Sequence, residues 1–192
     1  MKAEFLPGFY RMNVSVNNDD YWIKRIVNDV SEFDVIYDRY ITPIYKYVIR
    51  RIPNKFEAED ITANIFLTAL ESIVEGKYQC NNHFASWLFT IARRRIADYY
   101  RKPAEYSLDA VIPSEYHHVS AVDGNENYEE LQSHYSKLNN YEQDLLALRF
   151  SAQLDYKRIA QIVNKSVCSV KMATYRALRK LRKNMRGEGH EG

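Results

Sequence analysis

From Phe33 to Val48 the apolar residues Phe33, Ile36, Tyr37, Tyr40, Ile41, Ile44, Tyr47 and Val48 recur at intervals of three and four. That is the period of a helix with one face turned toward a core. Pro43 lies inside the run. It has no N–H to donate and its ring crowds the preceding turn, so it predicts a kink or a split there. Ile52-Pro53-Asn54 reads as a turn, after which Ile61, Ile65, Phe66, Ala69, Leu70 and Ile73 repeat the helical period. This second helix has an acidic first turn at Glu57, Glu59 and Asp60, the charge that a helix N-terminus favours, and Gly76 closes it. A third helix, from Phe84 to Lys102, sets Trp87, Leu88, Ile91, Ala92 and Tyr99 on one side and stops at Pro103. No strand-type alternation or internal repeat breaks this pattern, so an all-α fold is expected.

A chain of 192 residues with 46% hydrophobic and 27% charged residues can bury a core in one or two domains. Its net charge of +2 conceals an asymmetry. Residues 138–186 hold 11 Lys/Arg against 3 Asp/Glu, whereas residues 104–136 hold 7 acids and no Lys or Arg. A basic C-terminal block behind an acidic connector points to a nucleic-acid surface on one module. Cys80 and Cys168 stand far apart, which argues against a disulfide framework and fits a reducing compartment. Cys80 and His83 form a C-x2-H, with His117-His118 further on, but zinc sites carry paired ligands on both sides, so no metal and no cofactor are expected. The N-terminus lacks the pattern of a signal peptide and no stretch reaches eighteen apolar residues, so membrane insertion is not expected and a cytoplasmic location is.

The segment 104–136 contains Pro113 and the turn signal Asp123-Gly124-Asn125 without sustained periodicity, and reads mostly as a flexible acidic linker. Tyr128 to Tyr135 at its end can already belong to the next helix. Helical patterns then run over 141–150, 156–163 and from Ser166 to about Lys183, and the last two have the layout of a helix-turn-helix. Ala160 permits a close helix crossing, Asn164 tolerates the left-handed conformation of a sharp turn, and Ser166 is a good N-cap. On a wheel of 100° per residue, Val167, Val170, Thr174, Ala177, Leu178 and Leu181 share the core side. The opposite side presents Cys168, Met172, Tyr175, Arg179 and Arg182, flanked by Ser169, Lys171 and Arg176. Its N-terminal part is the candidate reader of duplex DNA in the major groove, and Arg179, Lys180, Arg182 and Lys183 suit phosphates.

FDVIYDRYITPIYKYVIRR, FEAEDITANIFLTALESI and FASWLFTIARRRIADYYRK resemble, in order and spacing, region two of bacterial sigma factors. LNNYEQDLLALRFSAQLDYKRIAQIVNKSVCSVKMATYRALRKLR is similar to region four. A chain with only these parts resembles the extracytoplasmic-function (ECF) group of the sigma-70 family. The resemblance implies an N-terminal extension (1–30), a region-two helical bundle (31–103), the linker (104–135) and a region-four helix-turn-helix (136–186).

It further implies docking of Glu59, Asp60 and Asn64 on the clamp helices of the largest subunit of core RNA polymerase. The family's usual Gln-Glu pair is Ala63-Asn64 here. Asn81, Asn82, His83, Arg93, Arg94, Arg101 and Lys102 would hold the single strand of the minus-ten promoter element, a task that needs polar edges for a flipped base and cations along the backbone. The recognition-helix residues would read the duplex minus-thirty-five element, and region four would also touch the flap of the second-largest subunit. Met172-Ala173 replaces a common Ser-Arg, so promoter sequence does not carry over. An anti-sigma factor is a further partner that the resemblance admits.

On the wheel Arg93 and Arg94 point away from Leu88 and Ile91, and Arg95 falls between, its stem along the apolar surface. Trp87 belongs with the core side. The competing reading is a one-component regulator whose N-terminal helices sense or dimerise. No P-loop, GxSxG or HExxH motif is present, so an enzyme is not expected.

Overall fold

The computed structural model describes residues 19–52, 54–80, 83–101 and 126–187, and these are helical throughout with short connections. The first module comprises α1 (Asp19–Ile26), a 3-10 turn (Val30–Glu32), α2 (Phe33–Arg51), α3 (Lys55–Val74) and α4 (Phe84–Arg101). The second comprises α5 (Glu126–Ser136), α6 (Asn140–Leu146), a π turn (Ala147–Ser151), α7 (Tyr156–Val163) and α8 (Val167–Gly187). No described helix is long and apolar enough to cross a membrane.

The helix α2 is the hub. Its inward residues Ile36, Tyr40, Ile44, Tyr47 and Val48 are buried, as the period requires. Pro43 does not split it: α2 continues from Phe33 to Arg51. Burial of Tyr40, Ile44, Tyr47 and Val48 on both sides of the proline, at about 1.5–3 kcal/mol for each large apolar side chain, offsets the hydrogen bond that the proline withholds. Tyr40 meets Phe84 edge-on at 5.4 Å and Tyr47 meets Phe89 at 5.6 Å, so the aromatic contacts lock α4 across α2. Asn54 caps α3 by accepting from the backbone of Phe56 and Glu57. Tyr99 donates to Glu57 Oε2 at 2.6 Å, tying the end of α4 to the start of α3.

Residues 19–30, expected to lie in a patternless extension, instead contribute α1 and the start of the 3-10 turn, with Ile23 and Ile26 buried in the core. Asp19 is almost fully buried, accepts from Tyr40 Oη at 2.6 Å and pairs with Arg39. Residues 1–18 and 102–125 lie outside the described residues, and the latter span includes most of the expected linker, 104–135.

In the second module Asn139 and Glu142 form a capping box at α6, and Asp155 caps α7. Asn164 ends α7 at φ 51°, the left-handed conformation expected of it, and Ser166 Oγ accepts from Ser169 N at 3.2 Å at the start of α8. Although the two modules were expected on a flexible tether, they pack on each other. Leu145, Leu148, Leu154, Ile159 and Ile162 continue the same buried cluster as Tyr40, Tyr47, Leu88 and Phe89.

Asp19→Ala strands the Tyr40 hydroxyl inside the core, where an unsatisfied group costs about 1–3 kcal/mol. It is expected to lower the unfolding free energy by about 2 kcal/mol in urea titrations. Adding Tyr40→Phe should recover part of that loss, because both partners are then apolar.

Candidate nucleic-acid interface

Three surfaces carry the residues singled out from the sequence. The first is the outer side of α3. Glu59, Asp60 and Asn64 are exposed there, with Asp60 and Asn64 one turn apart on the same side, and Lys55 Nζ lies 3.9 Å from Glu59. The structure adds to this strip two large apolar residues that the sequence reading did not include, Phe56 at 73% and Leu67 at 56% exposure. Their only sequence signal is that each falls off the buried period of α3.

The second surface is the outer side of α4 with the loop before it. Asn81, Asn82 and Lys102 lie outside the described residues. His83 is exposed and borders an open groove of about 430 Å³, together with Lys77, Tyr78, Ser86, Trp87 and Gln161. Trp87 is not wholly core: it is half-buried against Tyr78 at 4.6 Å and Phe84 at 5.5 Å, and its outer part forms a wall of the groove. Gln161 comes from α7 of the other module and accepts from Ser86 Oγ at 2.7 Å.

The three consecutive arginines divide differently from the wheel. Arg93 is turned into the contact between modules, where Nε donates to Asp144 Oδ2 at 2.6 Å and a guanidinium N–H donates to Ile162 O at 3.1 Å. That carbonyl belongs to the last turn of α7, where helix carbonyls lack internal partners. Arg94 is exposed, and no ion pair of it is found among the described residues. Arg95 reaches sideways to α3 and donates to Thr68 Oγ1 at 2.7 Å. Arg101 is exposed and pairs with Asp98 at 2.6 Å.

The third surface is the outward side of α8. Val170, Thr174 and Ala177 are buried, although Val167, expected on the core side, is half-exposed at the helix start. Cys168, Ser169, Lys171, Met172, Tyr175, Arg176 and Arg179 are all exposed. Met172 at 54% and Tyr175 at 65% exposure are large apolar groups held in water beside cations. Such a mixture suits base edges and phosphates.

Asp144 is the residue the sequence reading missed. It is 6% exposed, and its two oxygens accept from Tyr47 Oη and Arg93 Nε, both of the first module. Burial, with the Asp144 carboxylate beside it, holds the Tyr47 phenol well above its ordinary pKa, so the phenol remains a donor. Arg51 donates to Asn140 O and Gln143 Oε1, each at 3.1 Å, and the Arg50 guanidinium lies 4.4 Å from the Tyr135 ring centre.

Two family models match the chain. Residues 36–105 match Sigma-70 region 2, and residues 136–183 match Sigma-70, region 4. The ECF RNA polymerase sigma factor BldN of Streptomyces coelicolor is 31% identical over 80% of this chain, which spans 60% of that relative's length. RNA polymerase sigma factor YlaC of Bacillus subtilis is 28% identical, covering 78% of this chain and 90% of its own length. ECF RNA polymerase sigma factor SigW of Bacillus subtilis is 29% identical, with 82% and 91% covered. Among solved structures, CnrH in complex with the cytosolic domain of CnrY has the same fold at a TM-score of 0.67 and 15% identity, covering 88% of this chain and 97% of that one. The sigma factor RpoE in complex with the anti-sigma factor NepR from Bartonella quintana gives 0.63 at 16% identity, with 81% and 97% covered.

Replacing Met172 and Tyr175 together by alanine should leave stability within about 0.5 kcal/mol of the parent. Val170→Ala on the buried side should cost about 2 kcal/mol. Thermal melting separates the two sides of α8.

Proposed function

The chain belongs to the sigma-70 family, in its ECF group, and from that premise we propose that it is an alternative sigma factor that brings core RNA polymerase to promoters and helps open them. The observation that carries this reading is the succession, in one chain, of a region-two match over α2–α4 and a region-four match over α5–α8.

In this reading the strip Glu59, Asp60 and Asn64, extended by Phe56 and Leu67, meets the clamp helices of the largest polymerase subunit. The groove at His83 and Trp87, with the exposed cations Arg94 and Arg101, takes the melted minus-ten strand. Aromatic stacking is worth about 1–3 kcal/mol per base and charge-assisted contacts hold the phosphates, so binding free energy offsets part of the cost of melting. The N-terminal half of α8 enters the major groove of the minus-thirty-five element, with Met172 and Tyr175 at base edges and Arg176 and Arg179 at phosphates. The second module also meets the polymerase flap. No covalent chemistry by this chain is required, so the protein is read as a non-enzymatic factor acting in the cytoplasm, where the polymerase works. The solved relatives stand in complex with the cytosolic domain of CnrY and with the anti-sigma factor NepR, and a regulator of the latter class is a proposed partner here as well.

A one-component regulator has no use for the region-two match or for the exposed cations of α4. Run-off transcription with a bacterial core polymerase and purified chain decides between the two readings, and promoter-dependent initiation is expected. Failure with every core tested would sink the sigma reading. In the same assay Arg94→Glu should cut open-complex formation about tenfold, the scale of one lost charge-assisted contact, and leave core binding intact. Asp60→Arg should do the reverse.

A further inference from the structure

The outward side of α8 separates its apolar groups from its cations. At about 100° per residue, Cys168, Met172 and Tyr175 fall within about 60° of one another and form one stripe along the helix. Lys171 lies on one flank of that stripe and Arg176 on the other, each about 40° beyond its edge. All five are exposed, Met172 at 54% and Tyr175 at 65%. Packing does not call for large apolar groups there, because Val170, Thr174 and Ala177 already fill the buried side of the helix. Neither cation is held over the stripe. Lys171 Nζ lies 5.8 Å from the ring centre of Tyr156 on α7, and Arg176 Nε donates at 3.4 Å to Met172 O of its own helix.

We propose, resting on the reading of α8 as the helix that enters the major groove, that its duplex element is recognised chiefly at thymines. Their C5-methyl groups pack on Met172 and Tyr175, and Lys171 and Arg176 hold phosphates on either side.

The major groove is about 12 Å wide and admits one helix. The middle of the helix's outward side then meets base edges, and its flanks meet the two backbones. Guanine is ordinarily read by Arg or Lys at O6 and N7, and adenine by the amide of Asn or Gln at N6 and N7. The first half of α8, VCSVKMATYR, contains no Asn or Gln, and its Lys and Arg stand on the flanks. The hydroxyl of Ser169 suits more than one base and creates no preference. What remains in the middle is a thioether, a phenol ring and a thiol. Thymine alone among the bases presents a methyl group in this groove, and covering that methyl with an apolar side chain removes both surfaces from water. The unbranched thioether of Met172 can follow the position of the methyl, whereas the ring of Tyr175 offers it a rigid face.

Uracil is thymine without the methyl, so it isolates this contact. Holoenzyme assembled from the full chain and a bacterial core polymerase is offered duplexes randomised over the upstream element. The retained sequences are expected to carry T·A pairs where α8 lies. One retained duplex is then remade with uracil for thymine, one position at a time on each strand. At the positions read by α8, affinity should fall about three- to fourfold, the scale of one methyl group returned to water. Met172→Ala and Tyr175→Ala should each abolish the difference between thymine and uracil at one position. The uracil series on the unaltered chain does not depend on any variant folding. Unchanged affinity at every uracil position overturns the reading through methyl groups, and so does a uracil effect that persists in both variants. The double variant, Met172→Ala with Tyr175→Ala, tests the reading beneath it. If that variant loses sequence preference at the element while uracil has no effect, α8 reads the duplex by other groups and only the methyl contact falls. If the double variant keeps the parent's preference, or the parent shows none, the role of α8 in reading the duplex falls too.

Discussion

Two tyrosines of α2 must each find an acceptor inside the protein. Tyr40 and Tyr47 are seven residues apart, two turns of helix, so both rings enter the core from the same side. A buried hydroxyl without a partner costs about 1–3 kcal/mol, and neither tyrosine can turn out to water. Tyr40 is answered by Asp19 of α1 and Tyr47 by Asp144 of α6. Burial raises both phenols, with the neighbouring carboxylate adding to the effect, so each remains a donor to its carboxylate. One helix thus dictates where two other elements stand, one before it in the chain and one far beyond it.

The second of these bonds fixes the electrostatics of α4. A carboxylate brought in to satisfy Tyr47 is a buried charge, and a buried charge needs a countercharge. Arg93 is the cation that reaches it. The pair is partly shielded rather than sealed, since the Arg93 side chain keeps 34% of its exposure, so its contribution to stability is smaller than that of a fully buried ion pair. Its larger effect is to remove one cation from the outer surface of α4 and leave Arg94 to face solvent. Arg95 is diverted to Thr68 of α3. Three identical residues in sequence therefore have three different tasks, each set by which element lies opposite.

Much of this was legible in the chain. The helices α2, α3 and α4 show their buried sides as clear periodicity, and the turn at Asn164 and the cap at Ser166 follow from local chemistry that needs no tertiary knowledge. Of the kink or split expected at Pro43 the split does not occur, because a helix continues through a proline when burial on both sides outweighs the missing hydrogen bond, and burial is a property of the fold. The helix α1 was missed because eight residues give too few turns for a period to stand out, and Asp19, which anchors it, reads as a surface acid until Tyr40 is placed beside it. Asp144 was illegible for the same reason. Nothing near it in sequence marks a partner at Tyr47 or Arg93. The helical wheel correctly put Arg93 outside its own module, but a side that is outward for one module becomes an interface when a second packs on it.

That packing leaves the two surfaces proposed to face DNA in unequal states. The outward side of α8, with Met172 and Tyr175, is open to solvent while the modules are closed. The side of α4 that would hold a melted strand has one arginine engaged and its groove bordered by Gln161. In the proposed function, duplex reading through α8 uses only that side of one helix, whereas the groove beside α4 has a wall from each module, Trp87 from the first and Gln161 from the second. With the modules packed, the outward side of α8 therefore stays open to a partner, while the outer side of α4 shares one arginine and its groove with α6 and α7.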